Sequence, residues 1–168
     1  KDIKIPKMVK VHQKFARPKI DKEDIKKVIS TQLENDKFAS KIKPGMNICI
    51  TCGSRGISNI PIIIKSIADF CKIQGANPFV VPAMGSHGGA TAEGQLEILS
   101  SLGVTEESVG CPIKSSMETV VIGHTTIGDK RPEELEVRID KNAYESDGII
   151  LCGRIKAHTA FRGEYESG

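Results

Sequence analysis

From Met46 onward the chain repeats one unit: a run of consecutive apolar residues, a polar loop rich in glycine, then an apolar stripe at helical spacing. "MNICIT" predicts a strand, "CGSRGISN" its loop, and "IPIIIKSIADFCKIQG" a helix stopped by Gly75. The theme returns with "PFVV", "PAMGSHGGA" and "TAEGQLEILSSLG", the second helix capped by Thr91 and ended by Gly103. Alternation of strand, loop and helix makes the sheet largely parallel.

Upstream, Val9, Val11 and Gln13 alternate with Lys10, His12 and Lys14, which predicts an edge strand over Met8 to Phe15. After the turn "RPKID", Asp21 is placed to cap a helix running to about Asn35, with Ile25, Val28, Ile29 and Leu33 on one face. Downstream, "TVVIG" and "LEVRI" predict a hairpin or added edge strands, Lys141 to Ser146 a short helix, and "GIILC" a strand of the buried kind. The expected fold class is α/β: an open, mostly parallel sheet flanked by helices, three-layered and Rossmann-like, in a single domain over residues 1–168.

Composition narrows the picture by exclusion. A chain of 168 residues with 39% hydrophobic and 27% charged residues can bury a core, and no apolar run reaches the roughly 18 residues of a membrane span. The opening, broken by charge every few residues, does not resemble a secretory signal, so a cytoplasmic location is expected. The net charge of +3 arises mainly in the first 43 residues, with thirteen Lys and Arg against six Asp and Glu. With only 4% aromatic residues to stack on bases, a solvated helix face explains this better than nucleic acid does. The five cysteines sit in or beside apolar segments and read as reduced thiols; Cys49 and Cys52 form a C-x-x-C that lacks the second pair a zinc site needs.

In an open parallel sheet the loops leaving the carboxyl ends of the strands share one edge, and ligands bind in the crevice there. Those loops carry Ser54 and Arg55, then Ser86 and His87, then Arg154, Lys156 and His158. Two histidines could exchange protons near neutral pH, and Arg55 offers a planar fork for a carboxylate or phosphate. Such a cleft suits proton or hydride chemistry on a small carboxylate. Gly85, Gly88 and Gly89 permit close approach by a ligand and leave amides free near a helix N-terminus. The loops match neither G-x-G-x-x-G nor G-x-x-x-x-G-K-[ST], so no dinucleotide or Walker reading is licensed. A module that binds a phosphorylated metabolite without catalysis remains the alternative. His12 and His124, on a strand face and at a turn, read as structural.

"CGSRGISNIP", "NPFVVPAMGSHGGATAEGQ", "GCPIKSSME" and "GRIKAHTAFRGEYESG" together resemble the N-terminal domain of the nickel-dependent lactate racemase family, in a branch long catalogued as a domain of unknown function. The resemblance implies an isomerase that racemises or epimerises 2-hydroxy acids with a nickel-pincer nucleotide, a pyridinium mononucleotide derived from nicotinic acid. It implies that one histidine removes the hydroxyl proton while the substrate hydride passes to the cofactor, whose return to the other face of the keto acid inverts the centre. By motif, His87 and His158 correspond to the two acid/base histidines and Arg55 to the arginine that holds the substrate carboxylate. Ser54, Gly85, Ser86, Gly88 and Lys156 are the expected cofactor-binding residues.

The same resemblance implies that the lysine tethering the cofactor, the nickel-binding histidine and a C-terminal domain lie beyond Gly168, so no metal ligand is expected in this segment and the piece alone is expected to be inactive. The sequence departs from the well-studied racemases, which carry an acidic residue shortly before the arginine and a proline after it, where this chain has Cys52 and Gly56. The expected partners are a small 2-hydroxy acid and the C-terminal domain of the same protein, with neither nucleic acid nor membrane.

Overall fold

The computed structural model describes residues 7–14, 16, 18–54, 56–127, 131–156, 160, 162 and 163. Its centre is a parallel sheet of β1 (Asn47–Cys52), β2 (Asn77–Pro82) and β5 (Gly148–Ile150) in the order β2-β1-β5. Asn47 pairs with Asn77 on one side of β1, and Ile48 with Gly148 on the other. The chain therefore leaves β1 in one direction to build β2 and comes back past it to lay down β5. That reversal makes the carboxyl ends of β1 and β5 the topological switch point of the sheet, where open parallel sheets bind their ligands.

Helix α3 (Ile60–Ile73) carries the crossover from β1 to β2, with Pro61 in its first turn, where a missing N–H costs nothing. Its buried Ile60, Ile64, Ile67, Ala68 and Cys71 recur at helical spacing and pack over Ile48, Ile50, Cys52 and Val80 on one sheet face. The outer side of α3 is covered by α1 (Ile25–Leu33), through Ile29 and Leu33. Gly75, at φ 79°, turns the chain out of α3, and its carbonyl accepts from the Gly45 amide to bring β2 alongside β1. The same core takes in Leu99 of α4 (Ala92–Ser101) and Val109 of α5 (Glu106–Val109). Thr105 and Ser108 form a reciprocal capping box on α5.

The opposite face is smaller. Cys49, Phe79 and Val81 meet Ala143 of α6 (Lys141–Tyr144) and Ile139 of β4 (Arg131–Asp140). Strand β4 pairs antiparallel with β3 (Thr119–Ile127), which makes the "TVVIG" and "LEVRI" segments the arms of a hairpin. Asp140 then caps α6 by accepting from the Ala143 amide at 3.0 Å. The expected α/β class, with an open and mostly parallel sheet flanked by helices in one small domain, is what the structure has.

Several local expectations are corrected. Residues 8–14 form no strand: Met8, Val9 and Val11 are 94%, 80% and 78% exposed, and a strand without a pairing partner has nothing to satisfy its backbone. The first helix starts with a 3-10 turn at Lys22–Asp24, and Asp21 makes no side-chain cap there. A further short helix, α2 (Asp36–Ala39), follows α1 where the sequence pattern shows none. Finally, Ile113 forms a parallel bridge with Val80, with Val80 N–H donating to Pro112 O and Lys114 N–H to Val80 O. The "GCPIK" segment thus extends the sheet beyond β2. Among the described residues no helix is long and apolar enough to cross a membrane.

Candidate functional site

The loop after β1 begins at Gly53, and that after β2 at Ala83. They are joined at their bases, where the Ala83 amide donates to Cys52 O at 2.8 Å. They are joined again farther out, where Ser54 Oγ and His87 Nδ1 lie 2.6 Å apart. Ser54 is half-buried and His87 exposed, so the imidazole stands at the rim with one ring nitrogen held by the neighbouring loop. Nε2 makes no hydrogen bond among the described residues.

A left-handed turn shapes the second loop. Gly88, Gly89 and Ala90 have φ of 67°, 67° and 55° in succession, with Gly85 at 60° just before. Glycine adopts such angles freely, whereas Ala90 holds a conformation that costs an L-residue about 1–2 kcal/mol. The turn drops the chain onto the start of α4, where Thr91 Oγ1 accepts from the Gly94 amide at 3.1 Å. At that crossing a Cβ on Gly94 would lie 2.0 Å from Gly88 O, and one on Gly88 2.5 Å from Gly94 C. Two glycines therefore face each other because the backbones touch.

Two polar side chains outside the loop itself fix this turn to the fold. Gln95, only 5% exposed, donates from Nε2 to Gly85 O at 2.8 Å. Ser115, in the segment beside β2, donates to Ala92 O at 2.9 Å in the first turn of α4. The signal for Gln95 was present: it stands four residues before the buried Leu99, so a polar side chain occupies the inward face of α4.

The third loop joins the first from the β5 side. Thr51 Oγ1 accepts from the Cys152 amide at 2.9 Å and donates to Cys152 O at 3.4 Å. Farther out, Arg154 Nη1 donates to Gly56 O at 3.4 Å. The described parts of all three loops thus lie along one edge of the sheet, with Gly85, Ser86 and Lys156 exposed and Gly88 half-buried. Arg55 and His158 lie outside the described residues.

Electrostatics separate this rim from the thiols beneath it. Burial pushes Cys52, at the end of β1, up to about 12, with nearby Cys152 adding to the effect. Burial likewise pushes Cys49 up to about 12, helped by Asp140. Neutral thiols of this kind are poor nucleophiles and poor metal ligands. The C-x-x-C residues also point to opposite faces, Cys52 into the core under α3 and Cys49 toward α6. Among the described residues no three His, Cys, Asp or Glu side chains come together as a metal site.

The rim can take an anion. Gly85, Gly89 and Gly56 each have open space where a Cβ would project, and the amides of Gly85 and Ser86 make no backbone hydrogen bond among the described residues. Open glycine surfaces whose amides have no backbone partner among the described residues can accept an anion. His87 at the same rim adds a group able to give or take a proton.

Comparison with curated protein sequences and with solved structures gives no match. The family model for the lactate racemase N-terminal domain matches residues 2–164. A match over nearly the whole chain, on a parallel sheet whose histidine-bearing glycine loop stands at the carboxyl edge of the strands, places this chain in the lactate racemase N-terminal domain family.

Proposed function

We propose that this chain is the N-terminal catalytic part of a cytoplasmic isomerase that racemises or epimerises a 2-hydroxy acid with a nickel-pincer nucleotide, the remaining residues of the site coming from a C-terminal domain. The observation that carries the reading is His87, an exposed imidazole held through Nδ1 by Ser54, at the carboxyl edge of the strands in a chain belonging to this family. An Nε2 with no hydrogen bond among the described residues is available to act as a general base toward a substrate hydroxyl.

In this reading His87 takes and returns the hydroxyl proton on one side of the substrate, and His158 does so on the other. Arg55 holds the carboxylate by paired N–H donors. Ser86, Gly85 and Gly88 receive the cofactor's phosphate and flank through backbone amides and the absence of side chains, with Lys156 adding positive charge. Ser54 also lies on this surface. When bound, the cofactor supplies reversible acceptance of the substrate's hydride. The chain's own part is to orient the carboxylate, move the proton and keep the hydroxyl next to the imidazole. Exposed Leu151 and Ile155, just after β5, support a covering surface contributed by the C-terminal domain.

The test is chiral chromatography of a panel of 2-hydroxy acids after incubation with the complete protein and its cofactor-building enzymes. Inversion of at least one member is expected. Tight binding of a phosphorylated metabolite with no inversion of any member would replace this reading with that of a binding module.

A further inference from the structure

We propose that Ser54 is a positioning residue which holds His87 in the tautomer protonated at Nδ1, leaving the Nε2 lone pair open to a substrate; the choice of tautomer rests on the proton-transfer role of His87 proposed above. A neutral imidazole carries one ring proton, and the partner of one nitrogen decides what the other can do. The Ser54 hydroxyl, 2.6 Å from Nδ1, can accept an Nδ1–H. A ring held that way presents a base at Nε2, and the same bond persists when Nε2 gains a proton, so the ring need not turn during proton transfer.

Serine suits this place for two further reasons. It is uncharged, so it orients the ring without the pull a carboxylate would exert on the ring proton. It is also half-buried on the loop after β1, and that loop is fastened to the neighbouring loop by the bond between the Ala83 amide and Cys52 O. His87 has its own anchor, its amide donating to Met84 O at 3.3 Å. Both ends of the Ser54–His87 bond therefore sit on backbone fixed independently of it. A short serine–histidine contact is also the mark of an activated nucleophile. That reading asks for a third group orienting the imidazole, and none bonds His87 among the described residues.

The experiment uses this chain with ¹⁵N-labelled histidine, whose ring shifts in the neutral state report which nitrogen bears the proton. The expected result is an excess of the Nδ1–H form at His87, lost in Ser54→Ala and kept in Ser54→Thr, with all three proteins melting at similar temperatures. An excess of the Nε2–H form in the unsubstituted chain, or a tautomer ratio untouched by Ser54→Ala, would overturn the inference. So would covalent labelling of Ser54 by a fluorophosphonate probe that disappears in His87→Ala. In the complete enzyme Ser54→Ala should lower kcat roughly tenfold with KM nearly unchanged, and Ser54→Thr should recover most of it. The tautomer measurement needs no turnover, so absence of racemisation would count against the proposed function while the ring result stands on its own.

Discussion

His87 Nδ1 and Ser54 Oγ meet at 2.6 Å across 33 positions of sequence, tying the tip of the loop after β2 to the loop after β1. Because His87 is exposed, this bond orients more than it stabilises, and a single such bond contributes about 1 kcal/mol. A double-mutant cycle with Ser54→Ala and His87→Ala, read by urea unfolding, should give a coupling energy of about 0.5–1.5 kcal/mol. Additive effects of the two substitutions would mean that the contact does not persist in solution.

The crossing of Gly88 over Gly94 predicts an unusual cost for a conservative change. Alanine ordinarily favours a helix over glycine by about 1 kcal/mol, yet a Cβ at Gly94 would lie 2.0 Å from the Gly88 carbonyl oxygen. Gly94→Ala should therefore destabilise by about 2 kcal/mol or more, since backbone must move. Gly89→Ala meets open space and should cost only the left-handed penalty of about 1–2 kcal/mol. Thermal melts of the two variants distinguish backbone contact from simple loop flexibility.

Gln95 predicts a loss of loop order rather than of fold. Gln95→Leu keeps a side chain of similar size at this buried position of α4 but removes the donor to Gly85 O. Hydrogen exchange over residues 84–90 should accelerate at least several-fold while global stability falls by about 1 kcal/mol. Equal acceleration throughout the sheet would show that Gln95 supports the core instead.

The buried thiols predict a direction with pH. Cys49 and Cys52 are raised from 9.0 to about 12 and Cys71 to about 11, chiefly by burial. Their contribution is intact below about pH 9, where both folded and unfolded chains keep the protons. Above that the unfolded chain loses protons which the folded chain retains, so stability falls as pH rises toward the folded values. Each thiol should add about 1.4 kcal/mol per pH unit to the slope. Urea midpoints measured above pH 9 should fall less steeply in Cys49→Ala than in the unsubstituted chain.

How much of this could be read from the sequence depends on whether local order settled the matter. The alternation of "NICITC", α3, "NPFVVP" and α4 fixes a parallel sheet because each element follows its neighbour, and Gly75 and Thr91 mark boundaries through backbone needs visible in one residue. Alternation in residues 8–14 misled because period two shows what a strand could bury, not whether a partner exists. The bridge from Ile113 to Val80 and the Gly88–Gly94 contact are meetings of backbone, which side-chain patterns do not encode. At the site, strand order alone puts the three loops, and with them Ser54 and His87, on one edge. That they bond each other could not be read, since it depends on loop conformation built from three successive positive φ angles.

The most direct test compares the unsubstituted complete protein with His87→Ala, each carrying a verified load of cofactor, by the rate at which one enantiomer of its 2-hydroxy acid becomes the other. The account predicts a fall of about a hundredfold or more in His87→Ala with the melting temperature nearly unchanged. Inversion at the unsubstituted rate in that variant would contradict it.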